Sequence, residues 1–213
     1  ADKDLKDDAL IYANAVRRMG IPIQEVNGNR DWDKVRIAVS FADCIVDALL
    51  GTGLQDAPQE RIAKLIAIIN ASGKKVVAVD VPTGINSDTG QVVGAAVKAD
   101  CTVTFGLSKQ GLLFYPAKEY AGIIVQDDIG LPITLIDKMP INQWAVTHER
   151  VRAMLPCRKE DAYKGMQGHV GVVAGSRNYV GAAALCSTAA LRCGAGLVTL
   201  AAGKELYPIL QMK

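Results

Sequence analysis

Two strand-length apolar runs, Cys44 to Leu50 and Lys75 to Val79, flank a stretch with helical spacing at Ile62, Leu65, Ile66 and Ile69. Strand, helix, strand in that order builds a parallel pair joined by a right-handed crossover. Each run leads to an acid just before a glycine-bearing turn. Asp47 is followed by Ala48-Leu49-Leu50-Gly51-Thr52-Gly53-Leu54, and Asp80 by Val81-Pro82-Thr83-Gly84. In a parallel sheet that position is the carboxyl edge, where ligands collect. Two such acids on two strands predict one polar site built from neighbouring loops.

The alternation extends in both directions. Leu5, Leu10, Ala13 and Val16 form an apolar stripe that predicts a helix from Asp4 to Met19, stopped at Gly20. A short strand is expected over Ile21 to Val26 and a second helix over Trp32 to Phe41. Pro58 is placed to open the central helix. Thr102 to Phe105 and Ile123 to Val125 read as further strands. The character changes after about Leu131, where Pro132, Pro140 and Asn142 punctuate a connector. Thr147 is suited to cap a short helix through Leu155. A strand over His169 to Ala174, a small-residue helix from Ala182 to Cys193 and a strand over Leu197 to Ala201 follow. The expected domains are residues 1–145 and 146–213, and the second is small for an α/β unit.

Composition narrows the function classes. The chain has 213 residues, half of them hydrophobic, enough for one large or two modest cores. Its net charge is +2, and no basic stripe points to nucleic acid. The mostly charged opening, Ala1 to Asp8, carries no secretory pattern. No apolar run approaches the roughly 20 residues of a membrane span. Five cysteines are scattered without a Cys-x-x-Cys pair, and three sit in apolar or small-residue runs. Reduced, buried thiols and a cytoplasmic compartment are therefore expected. Only His148 and His169 are present, which argues against a zinc site. Both ends of the chain read as cut.

Asp47 has two readings. It caps the following turn, or it faces a cation or a substrate hydroxyl. Gly51 and Gly53 favour the second, because glycines let backbone N–H groups turn toward an anion. Gly51-Thr52-Gly53 lacks the third glycine of a dinucleotide fingerprint. Asp80 emerges from a buried strand, with Pro82 fixing the turn and Thr83 adding a hydroxyl. One carboxylate, one hydroxyl and nearby carbonyls suit a group I or II cation. Asp80 also suits general acid–base work, with turn capping as the competing role. Lys109 reads as a surface lysine, with phosphate binding as the second reading, and His169 reads as structural. Gly175-Ser176 and Gly181 suit either a substrate cradle at a helix start or close packing of helix on sheet.

The segments Val46 to Leu54, Val79 to Gly90 and Asp100 to Phe105 resemble the epimerase domain of NAD(P)H-hydrate repair enzymes. Tyr163 to Val170, Ala174-Gly175-Ser176, Tyr179 to Ala183 and Ala190 to Thr199 resemble the opening of the ADP- or ATP-dependent NAD(P)H-hydrate dehydratase domain. The resemblance implies a Rossmann-like three-layer α/β domain with a mostly parallel sheet, followed by the beginning of a ribokinase-like α/β domain. It implies repair of NADH and NADPH hydrated at ring carbon 6. The epimerase interconverts the R and S hydrates, and the dehydratase removes water from the S form at the expense of ADP or ATP. Carried over by motif, Asp47 and Thr83 hold a potassium ion. Gly51, Thr52, Gly53, Leu54, Gln55, Asp56 and Ala57 lie along the hydrated cofactor, as does Ala182. Asp80 contacts the cofactor and is the expected acid–base residue. A homo-oligomer is expected, with neither nucleic acid nor membrane as a partner.

Two departures accompany the resemblance. The family's Asn- and Gly-rich first loop is absent, and its late dehydratase segment would lie past Lys213. The chain is accordingly expected to be incomplete for both activities. Two other readings compete: a ribokinase-like small-molecule kinase, and a non-catalytic binding protein on the epimerase scaffold. The joint presence of Asp47, Asp80 and Thr83 argues against the binding protein.

Overall fold

A computed structural model describes residues 7–212. The chain forms two compact units that divide between Pro140 and Ile141. The first contains α1 (Asp7–Arg18), α2 (Asn29–Phe41), β1 (Cys44–Asp47), α3 (Glu60–Ala71), β2 (Lys75–Val79), β3 (Cys101–Phe105), α4 (Lys118–Ala121), β4 (Ile123–Asp127) and α5 (Ile133–Ile136). Its four strands pair in the order β1-β2-β3-β4, all parallel. This is the α/β architecture with a parallel sheet that the alternating runs imply.

The strand order explains where the core lies. Parallel crossovers are right-handed, so a sheet that adds each strand on the same side receives every connection on one face. Val76 and Ala78 on β2, with Thr102 and Thr104 on β3, are buried on that face. Ile66 and Ile69 of α3 pack there against Val76, Ala78, Val97 and Ala99. A second cluster joins Val81, Ile85 and Ala96 to Leu112, Ala117 and Ala121. The alternate positions Val46, Ile123 and Val125 stay exposed.

The second unit contains α6 (His148–Met154), β5 (His169–Val173), α7 (Val180–Arg192), β6 (Leu197–Ala201) and α8 (Tyr207–Leu210). β5 and β6 form a parallel two-stranded sheet, and α7 lies against both. The Thr147 hydroxyl accepts the Arg150 N–H at 3.2 Å and caps α6, as its position implied.

Several expectations are corrected. No strand forms over residues 21–26. Pro22 lacks an N–H, the neighbours Ile21 and Ile23 are exposed, and β1 takes β2 as its partner. α2 starts at Asn29, before Trp32, because the Asp31 carboxylate turns back to accept the N–H groups of Asn27 and Gly28. α3 starts at Glu60, two residues past Pro58, with the Gln59 carbonyl accepting the Ala63 N–H. Residues 4–6 of the first expected helix lie outside the described residues. Four cysteines, Cys44, Cys157, Cys186 and Cys193, are exposed, and Cys101 is half-buried. Burial of thiols in apolar runs fails because those runs lie on strand and helix faces that nothing covers among the described residues. All five thiols are free. No described helix is long and apolar enough to cross a membrane.

Candidate active site at the carboxyl edge of the sheet

Asp47 is the last residue of β1, and Asp80 directly follows β2, so the pairing of these strands sets both acids at one edge. Their surroundings differ sharply. Asp47 is 1% exposed. Its Oδ2 accepts the Thr83 backbone N–H at 2.8 Å. Its Oδ1 accepts the Thr83 hydroxyl at 2.7 Å and, at 3.4 Å, the Leu49 N–H. Thr83 is itself fully buried, and its hydroxyl oxygen accepts the Leu50 N–H at 3.0 Å. The sequence-predicted pair is therefore brought together, and Asp47 caps both turns.

Asp80 sits at φ 66°, alone among the described non-glycine residues in adopting a positive φ. Aspartate tolerates this region better than bulkier residues, at a cost of about 1–2 kcal/mol. The twist lets the Asp80 N–H donate to the Val103 carbonyl at 2.8 Å. Its side chain meets β3 as well. Oδ1 accepts the Phe105 N–H at 3.0 Å, the Thr104 hydroxyl at 3.2 Å and the Lys109 ammonium at 2.5 Å. Oδ2 has no partner among the described residues. No buried side-chain oxygen or nitrogen there lacks a partner, so Oδ2 reaches open space. Burial alone pushes the Asp80 carboxyl up. The Lys109 ammonium, the Phe105 amide and the Thr104 hydroxyl outweigh that and hold it below the usual carboxylate range.

Lys109 corrects the surface-lysine reading. Its side chain is 20% exposed, and the ammonium also donates to the Phe105 carbonyl at 2.7 Å. Gly106, at φ 66°, turns the chain at the end of β3 so that Lys109 folds back over Asp80. The sequence signal was present in that glycine, directly after a strand and three residues before a lysine.

The segment Gly51 to Ala57 joins β1 to α3. It is pinned by Leu50 on Thr83 and by the Leu54 carbonyl, which accepts the Asn86 side-chain N–H at 3.1 Å. Between these anchors Gly51, Thr52 and Gly53 are exposed, and Gly53 turns at φ 99°. No N–H from Gly51 to Ala57 donates to another described residue. Asn86 also accepts the N–H groups of Asp88 and Thr89, which makes it the hub of the second loop. The sequence reading gave Asn86 no role. Gly84 completes the turn, since a Cβ there would lie 1.9 Å from the Ala95 carbonyl oxygen. Ala182 belongs to the second unit, where it is exposed on α7.

The arrangement offers a buried oxygen cluster, an open carboxylate oxygen and a run of unused amides. A family model described as YjeF-related protein N-terminus matches residues 1–111, which include Asp47, Asp80, Thr83 and Lys109. The chain belongs to the family of YjeF-related N-terminal domains. It is also similar to curated proteins called Bifunctional NAD(P)H-hydrate repair enzyme Nnr. The relative from Moorella thermoacetica is 37% identical over 211 residues, covering 99% of this chain and 40% of the relative. The relative from Thermofilum pendens is 40% identical over 198 residues, covering 93% and 37%. The relative from Escherichia coli K12 is 35% identical over 212 residues, covering 99% and 39%. The chain of this YjeF-related domain thus spans about two fifths of the length of these relatives.

Proposed function

We propose that the first unit is an NAD(P)H-hydrate epimerase that interconverts the R and S hydrates of NADH and NADPH. The observation that carries this reading is the division of labour at the sheet edge. Asp47 is sealed inside, while Asp80 presents an open carboxylate oxygen at the same sheet edge from which the loop with unused amides leaves. The names of the relatives supply the substrate class, and favour neither a small-molecule kinase nor a non-catalytic binding module.

The chemistry needs a base at ring carbon 6. An ionised Asp80 takes the proton of the C6 hydroxyl, the C6–N1 bond breaks to an aldehyde, and the proton passes to N1. Rotation about C5–C6 presents the other carbonyl face, and the reverse steps close the ring. No atom is gained or lost. The amides of Gly51 to Ala57 suit the phosphates of the dinucleotide.

Potassium fits the Asp47 site. A buried carboxylate without a cationic partner among the described residues is costly, and a monovalent cation offsets that charge. Asp47, the Thr83 hydroxyl and the Leu50 carbonyl, 3.3 Å from that hydroxyl, are the oxygens that would hold it. When bound, the ion supplies positive charge near the anionic substrate. For the second unit, the proposal is the start of a ribokinase-like dehydratase using ADP or ATP. Its support is the set of motifs between Tyr163 and Thr199 on a β5-α7-β6 unit.

The test follows conversion of the R hydrate of NADPH by the native protein, separating the epimers by chromatography. Asp80→Asn is expected to slow epimerisation about a hundredfold or more while leaving ADP- or ATP-dependent loss of the S hydrate intact. Unchanged turnover removes Asp80 from its role. Replacing potassium with tetraethylammonium is expected to weaken substrate binding. Equal affinity in both salts would mean that Asp47 and Thr83 only cap turns.

A further inference from the structure

Asp80 is held by one oxygen only. Three donors from β3 and the turn after it converge on Oδ1, namely the Phe105 N–H, the Thr104 hydroxyl and the Lys109 ammonium. Oδ2 takes none of them and reaches open space. A free aspartate carboxylate turns about its terminal torsion, so its two oxygens are interchangeable. Here the donors remove that equivalence. Lys109 is the only charged donor of the three, and its side chain can be changed without altering a residue of β3. It is fixed in turn by the Phe105 carbonyl, so the ammonium bridges Asp80 to the end of β3.

We propose that Lys109 is the positioning residue of the epimerase, fastening Asp80 through Oδ1 so that Oδ2 alone exchanges the proton with substrate. The inference rests on the epimerase reading for its reaction, and on the Lys109–Asp80 geometry for its substance. Held this way, Oδ2 keeps one direction relative to the sheet edge through both half-reactions. A proton taken from the hydroxyl of one epimer is returned to the other from the same point. The alignment matters because misplacement by about 1 Å can reduce a rate on the order of a hundredfold. Lys109 is the ionisable side chain that, with the Phe105 amide and the Thr104 hydroxyl, holds the Asp80 carboxyl below its ordinary range.

The test compares wild type, Lys109→Met and Lys109→Arg in the native protein, with folding checked by circular dichroism. Lys109→Met is expected to lower kcat about a hundredfold with KM changed less than about threefold. Loss of the ammonium raises the Asp80 pKa, and activity is lost as pH falls through that pKa. The acid limb of the kcat profile is therefore expected to move to higher pH. Lys109→Arg keeps the charge and is expected to return the limb toward its wild-type position. A Lys109→Met enzyme with wild-type kcat and an unmoved acid limb overturns the proposal. Carbon-13 NMR titration of the Asp80 carboxyl, without substrate, separates the two readings. An Asp80 pKa unmoved by Lys109→Met sinks the positioning role even if epimerase activity is confirmed. A wild type without epimerase activity sinks the functional reading, and the titration then still decides whether Lys109 fastens Asp80.

Discussion

Asp47 and Asp80 are the same residue in similar sequence settings, yet they end in opposite states. Asp47 has both oxygens occupied and is shut from solvent, and Asp80 has one oxygen tied and one open. The sequence made both visible as strand-end acids, and it placed Thr83 with Asp47. The family resemblance gave them different roles, and the structural difference between them lies in partners 36 and 29 residues away. Thr83 holds this junction through one hydroxyl that accepts from Leu50 and donates to Asp47. Thr83→Val strands the Leu50 N–H and removes the short bond to Asp47. It is expected to destabilise the first unit by about 1–3 kcal/mol in urea unfolding. Thr83→Ser keeps the hydroxyl and is expected to recover most of that loss. Equal stability of the valine and wild-type chains would show that water replaces these bonds.

Among the elements, α3 was the most legible, because its apolar residues recur at 3.6-residue spacing and its core face is long. Its start was misplaced at Pro58, since the cap is made by the Gln59 carbonyl rather than by the proline ring. The parallel strands were legible as short apolar runs bounded by turns. Residues 21–26 had the same look and form no strand, because a strand exists only where an edge accepts it. Ile66, 2% exposed, joins α3 to β2 in the core. Ile66→Ala is expected to cost about 2–5 kcal/mol. Val46→Ala, on the exposed face of β1, is expected to stay within about 0.5 kcal/mol. Urea midpoints measured side by side check both values. Equal losses would show that the face bearing Val46 is as well packed as the one bearing Ile66.

In the whole molecule, the sequence by itself determined the alternation of strands and helices, the parallel sheet, and the family to which the strand-end motifs belong. These are local matters: periodicity, turn chemistry and acids adjoining glycines are all written within about ten residues of one another. Tertiary structure decided the rest. Strand order put every connection on one face and left Val46, Ile123 and Val125 open on the other, so Cys44, on the same face of β1 as Val46, came out exposed. The turn at Gly106 brought Lys109 from an apparent surface position onto Asp80. Burial and ion pairing depend on which residues meet in space, and only the assembled sheet fixes that meeting.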